Sequence, residues 1–225
     1  MGTPVMSDGS RHGAAERQAV SLLDALLPGG RVRAGSVVSA GGDVPLALAL
    51  AAEVACRAAG WAVVGMPELG VLAAEAAGLD LASGMRVDAP GRQWVQVLAT
   101  LLEAVPVVVV GPVGAVPDRV ARRLAAVLRR SGSVLLSVDR WQGAELRLEV
   151  VAASWEGVGQ GHGLLRGRRV TVAATGRGAA SVSRYADMWL PGPQGATAPV
   201  SRPAPAAEPV REAAGERRSV LRVVG

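Results

Sequence analysis

Hydrophobic positions along the chain come in short blocks of two kinds, continuous apolar runs and helically spaced ones, and the two kinds alternate. "AAERQAVSLLDALLPGG" (14–30) places Val20, Leu23 and Leu27 on one stripe, the spacing of an amphipathic helix, and Pro28, Gly29 and Gly30 stop it. A strand is predicted over 35–40. The segment 45–59 follows as an apolar helix with few charges, which marks it as buried. "WAVVGM" (61–66) reads as a second strand, 69–77 as a short helix, "MRVDAP" (85–90) as a brief strand and 92–104 as another helix. "VPVVVVG" (105–111) is apolar without interruption, as suits a central parallel strand covered on both faces. A helix over 116–130 and the strand "SVLLSV" (133–138) complete the series.

Such alternation predicts a parallel sheet with crossover helices. The pattern then changes. "ELRLEVVAASW" (145–155) and "RRVTVAATG" (168–176) are strands with no helix between them, and their link, "EGVGQGHGLLRG", is rich in glycine. This reads as an antiparallel hairpin on the sheet edge. The expected fold is therefore α/β, a mostly parallel sheet flanked by helices with a C-terminal antiparallel edge hairpin. Residues 1–13 are polar and expected to be disordered, 14–191 form the core domain, and the Pro/Ala-rich stretch 192–225 is a flexible tail. The tail ends in "RRSVLRVVG", where apolar residues return in a segment that either docks, on a partner or back on the domain, or frays.

Composition narrows the chemistry. Half of the 225 residues are hydrophobic but only 3% are aromatic, so Val, Leu and Ala must fill the interior. Lys, Ile, Asn and Phe, which share AT-rich codons, are missing, which points to a GC-rich bacterial genome. All 24 basic residues are Arg, and the net charge of +5 permits an anionic partner. The single cysteine, Cys56, can form no internal disulfide and is expected to be a small buried hydrophobe in the helix 45–59. His12 and His162 lie too far apart, with one Cys, to give a zinc-ligand spacing. No hydrophobic signal core opens the chain and no apolar run reaches the roughly 18 residues of a membrane span, so a cytoplasmic location is expected. No nucleophile, base and orienting group fall into a recognisable set, so no catalytic residue is assigned.

The turn "SAGGDVPLAL" stands between a predicted strand and a predicted helix, where nucleotide-binding proteins hold phosphate. A working loop needs G-x-x-x-x-G-K-[ST], with lysine on the phosphates and a hydroxyl on magnesium. With Gly42 aligned to the second glycine, Asp43 replaces the lysine and Val44 the hydroxyl residue. Asp43 would set negative charge against a triphosphate. Its expected role is to cap the following helix, with Pro45 in the first turn. The strand "VPVVVV" ends in Gly111 where a magnesium-binding Asp would be required. Gly41, Gly42 and Asp43 are thus the positions of a degenerate phosphate loop, and no cofactor or metal is expected.

The order of these parts resembles a RecA-type recombinase core. "LLPGGRVRAGSVVSAGG", "PLALALAAEVACRAAGWAVV", "EAAGLDL", "VPVVVVG", "SVLLSVDRW" and "ELRLEVVA…RRVTVAATGRG" follow the order of that fold from about Leu22 to Gly178. Only "DRWQGA" stands where RecA carries a long DNA-binding loop, and the strand before it ends at Val138-Asp139 rather than at a phosphate-sensing Gln. The resemblance therefore implies the fold without filament formation or strand exchange. Glu68 lies roughly where RecA carries its catalytic Glu, at a different spacing.

A narrower resemblance rests on "GWAVVGMPELGVLAAEAAGLDL", "PGRQW", "VARRLAAVLRRSGSVLL", "WQGAELRLEV", "SWEGVGQGHGLLRGRRVTVAATGRGAA" and "MWLPGP". Together these are similar to ImuA-prime, an actinobacterial RecA-like accessory protein of the mutasome. That resemblance implies a non-catalytic role in damage-induced translesion synthesis. The implied partner is ImuB, a Y-family-like protein, and through it an error-prone C-family polymerase and the sliding clamp. A cell-division inhibitor resembling SulA and a degenerate NTPase are the alternatives.

Two surfaces suit DNA or an acidic partner. At about 100° per residue, Arg119, Arg122, Arg123, Arg129 and Arg130 fall in one wedge of the helix 116–130, with Val116, Val120, Leu124, Val127 and Leu128 elsewhere. Arg offers bidentate contacts to phosphate or carboxylate. Arg166, Arg168, Arg169 and Arg177 form a second basic group on and after the glycine-rich link, with Trp155 nearby as a ring for stacking or a protein interface. Otherwise Trp141, Trp155 and Trp189 are all expected to be packing anchors.

Overall fold

A computed structural model of the protein describes residues 25–200, except 57, 59, 160, 161, 194 and 196. The predicted disordered segment 1–13, His12, most of the helix predicted over 14–30 and the apolar end of the tail lie outside the described residues, as does the side chain of His162.

Among the described residues, nine strands form one sheet in the order β3-β2-β4-β5-β1-β6-β7-β8-β9. The strands are β1 (Val37–Ser39), β2 (Trp61–Val64), β3 (Gly84–Val87), β4 (Val107–Val110), β5 (Val134–Ser137), β6 (Leu146–Gly159), β7 (His162–Gly176), β8 (Arg184–Trp189) and β9 (Ala198–Pro199). The helices are α1 (Val44–Ala55), α2 (Val71–Ala76), α3 (Trp94–Ala104) and α4 (Asp118–Ser131). Strands β1 to β6 pair in parallel, and β6 to β9 pair antiparallel. The fold is the expected α/β one, a mostly parallel sheet between helices with an antiparallel C-terminal part. One detail differs: β6 and β7 are not the edge. "RYADMW" alternates as a strand should, with Ala186 and Met188 turned to the core, and as β8 it extends the sheet. β9 then pairs with β8 through Met188–Pro199 and Trp189–Ala198, inside the stretch assigned to the tail.

The two faces of the parallel part bury separate cores. On one, α1 lays Leu46, Leu48 and Leu50 with Val38, Val63, Val109 and Leu136. On the other, Leu98 and Leu102 of α3 and Leu124 and Leu128 of α4 pack with Ala62, Val64, Val108, Val110 and Leu135. Strands buried on both sides explain why β4 and β5 read as unbroken apolar runs. Each fully buried Leu or Val contributes roughly 1.5–3 kcal/mol of transfer free energy. Trp141, expected as an anchor, is buried beside α3 and α4, and its backbone N–H donates to Ser39 Oγ at 3.2 Å. Cys56 departs from expectation. It is exposed at the C-terminus of α1, and its thiol donates to the Glu53 carbonyl at 2.9 Å, because the helix ends one residue before it.

Candidate functional site

The turn after β1 is closed on itself. Gly41 and Gly42 take the left-handed conformation (φ 61° and 90°) and swing the chain from strand to helix. Their neighbours' donors are then used within the chain. Gly42 N–H donates to the Val138 carbonyl at 2.7 Å, and Asp43 N–H donates to the Ala40 carbonyl at 3.0 Å. Asp43 is the N-cap of α1, as the sequence predicts: its Oδ1 accepts from Leu46 N–H at 2.9 Å, and Pro45 occupies the first turn. A phosphate cradle needs several backbone N–H groups converging on open space. Here those of Gly42, Asp43 and Leu46 already serve other acceptors.

The second oxygen of Asp43 has a partner that sequence reasoning missed. Arg168 Nη1, on β7, lies 2.5 Å from Asp43 Oδ2, and the two side chains are only 17% and 10% exposed. One carboxylate therefore satisfies a helix N-terminus with one oxygen and neutralises an arginine with the other. Arg168 was expected on the surface; it is instead turned inward, because it is opposite Trp155 on the sheet face that also carries Val170 and Val172 toward α1. The residues are 125 positions apart, so no local spacing announces the pair. An open cleft of about 330 Å³ remains beside it, bounded by Gly41, Gly42, Asp43, Val151, Ala153 and Arg168.

At the end of β4 there is no room for a metal-binding side chain. Gly111 is buried, and a Cβ there would stand 2.4 Å from the Gly65 carbonyl oxygen and 2.6 Å from Met66. Glu68 is exposed in the turn before α2, and Asp139 is exposed after β5, with its carbonyl accepting from Ser39 Oγ at 2.6 Å.

The arginine wedge of α4 is as the helical spacing predicts. Arg119, Arg122, Arg123, Arg129 and Arg130 are all exposed, while Leu124, Val127 and Leu128 are buried. Among the described residues, Arg130 alone of the five pairs with a carboxylate, that of Glu103 on α3. That pair is exposed, so its contribution to stability is about 0–1 kcal/mol. A groove of about 380 Å³ between the two helices is walled by Gln96, Thr100, Glu103, Arg123, Val127 and Arg130.

The second basic group does not come together. Arg166 lies within β7 and Arg177 just past its C-terminal end, roughly 36 Å away at about 3.3 Å per residue. Arg168 is held by Asp43. Arg169 is exposed on the opposite sheet face, its guanidinium carbon 5.9 Å from the centre of the Trp189 ring, a cation–π contact. Trp189 is half-buried and so is an anchor for the β7–β8 pair, whereas Trp155 is 53% exposed.

A family model described as the MT3502 N-terminal domain matches residues 25–143. The match spans β1 to β5 and stops before β6. The chain is also similar to the uncharacterized protein Rv3395c of Mycobacterium tuberculosis (strain ATCC 25618 / H37Rv), with 31% identity over 166 residues, which is 67% of this chain and 81% of that one. Among the described residues no helix is long and apolar enough to cross a membrane.

Proposed function

The chain belongs to the MT3502 family, and on that premise we propose that it is an ImuA-prime-type accessory protein of the translesion-synthesis mutasome. In this reading it is a non-catalytic cytoplasmic scaffold with a RecA-like fold. It binds an ImuB-type Y-family protein, and through that partner serves a C-family error-prone polymerase and the sliding clamp during damage-induced mutagenesis. The observation that carries the non-catalytic part is the Asp43–Arg168 pair. Where a nucleotide-driven relative needs a cation facing phosphate, this chain has an anion that is already capped onto α1 and already neutralised from β7. Gly111 adds a second, independent obstacle, since no carboxylate can be accommodated at the end of β4.

The binding part rests on the resemblance of the motifs to ImuA-prime and on surfaces able to take a protein or DNA: the arginine face of α4 and the exposed hairpin around Trp155. The test is co-purification of the full-length chain, and of a chain ending after Val200, with the ImuB-type protein of the same genome. Association of the full-length chain is expected. If neither form associates, the reading is wrong; loss only on shortening places the contact in residues 201–225.

A further inference from the structure

Among the described residues, most of the β6–β7 hairpin has no other strand beside it. β1 pairs only with Leu146 and Arg147 of β6, and β8 pairs only with the stretch of β7 from Arg169 to Ala174. Among the described residues, beyond Trp155 and Arg168 the two strands pair only with each other, as a two-stranded ribbon. Two-stranded ribbons are marginal by themselves in water. This one has a firm base. Arg168 ties it to Asp43, its backbone exchanges hydrogen bonds with Leu190 and Pro191 at 2.7 and 2.9 Å, and Arg169 lies over Trp189.

The ribbon's apolar side chains contribute little to the fold. Leu164 is 81% exposed, Leu165 60% and Trp155 53%. A bulge puts the leucines there. Between the pairs Glu156–Gly167 and Val158–Gly163, β6 advances by two residues and β7 by four. Gly157 makes this possible at φ 105°, where a Cβ would lie 2.0 Å from the Leu164 carbonyl oxygen. Bulges re-aim side chains, and this one displays Leu164, Leu165 and Arg166 within four residues along β7 of Arg168, the residue opposite Trp155.

We propose that this bulged ribbon is a docking arm for an apolar segment of a partner protein, with a carboxylate on the partner meeting Arg166. Trp and Arg are the residue types that anchor protein interfaces, and exposed large apolar side chains such as Leu164 and Leu165 are what an interaction surface carries. Arg166 on the ribbon and Arg169 at its base are both exposed and outnumber the nearby carboxylate of Glu156, so the charge favours an acidic segment. The two leucines favour protein over nucleic acid, because aliphatic side chains offer no ring for bases to stack on. The fixed base lowers the ordering cost of binding. The partner used as probe is the ImuB-type protein, so the inference rests on the reading above.

The experiment measures the affinity of full-length chain for that protein. Compared are the native chain, Leu164→Ser with Leu165→Ser, Arg166→Glu, and Leu72→Ser as a control at a residue 76% exposed on α2. The double leucine variant is expected to bind at least tenfold more weakly with an unchanged melting temperature. Arg166→Glu should weaken binding severalfold, and Leu72→Ser should bind like the native chain. Native-level binding by the leucine variant overturns the docking arm and leaves the mutasome reading intact. Absence of binding by the native chain overturns both. Sedimentation and single-stranded oligonucleotide binding are measured on the same set. If the leucine changes abolish self-association or oligonucleotide binding instead, the arm belongs to a second copy or to DNA, and the proposal is refuted.

Discussion

Replacing Asp43 by Ala removes two interactions with one change. The cap on Leu46 N–H disappears, at a cost of about 0.5–2 kcal/mol. Arg168 is left as a largely buried cation without its counter-ion, and removing one partner of a buried pair costs about 3–5 kcal/mol. The remaining exposure of both side chains argues for the lower end, because water can reach the stranded guanidinium. The two losses also share one carboxylate and do not simply add. A total of about 3 kcal/mol is expected, which for a domain of this size lowers Tm by about 6–12 °C. Thermal and urea unfolding of the native chain, Asp43→Ala, Asp43→Asn, Arg168→Met and the Asp43→Asn/Arg168→Met double variant measure it. Asp43→Asn keeps an oxygen for the cap and loses the charge, so it isolates the pair. Arg168→Met removes the cation and leaves the cap. The double variant should be more stable than the two single losses predict, by at least about 1 kcal/mol of coupling. If Asp43→Ala stays within about 0.5 kcal/mol of the native chain, the turn is not held by this pair and the account of its closure is wrong.

Two further outcomes follow from the same geometry. Magnesium-ATP at 100 times a hypothetical Kd would stabilise a binding protein by about 2.7 kcal/mol; no rise in Tm is expected here, and a rise that Asp43→Ala alters would restore the degenerate-NTPase alternative. Arg122→Glu with Arg123→Glu on the exposed face of α4 should leave stability within about 0.5 kcal/mol. If that face meets DNA phosphate, as proposed, the same change weakens single-stranded oligonucleotide binding and lowers its salt slope by about 1.4; an unchanged affinity and slope show a face that is merely solvated.

The parallel half of the fold is legible in the sequence because its signals are local. Four consecutive valines at 107–110 can only be a strand covered on both sides, and the placement of Leu124, Val127 and Leu128 against five arginines fixes the orientation of α4. β8 was written in the sequence too, as the alternation of "RYADMW". Six residues after a glycine-rich stretch did not stand out as a strand until β7 offered them a partner. Cys56 failed for a different reason: an apolar neighbourhood predicts burial only while the helix continues, and α1 stops at Ala55.

Arg168 shows where local reading stops. In sequence it belongs with Arg166 and Arg169, yet the three meet different surroundings because neighbours in a strand point to opposite faces and a bulge interrupts the alternation. Arg169 turns to Trp189, Arg166 is exposed on the ribbon, and Arg168 reaches the turn after β1. Asp43 could be read as a helix cap from its position alone, since a cap needs only the residues that follow it. Its second role needed the strand order, which brings β7 within reach of β1 across β6. A turn with neither lysine nor aspartate at this position would leave a helix N-terminus open to any passing anion. An aspartate there, with an arginine supplied from a distant strand, converts that opening into a fixed contact between the two halves of the sheet. The same contact anchors the base of the exposed ribbon, so the turn after β1 is the support for the surface proposed to bind a partner.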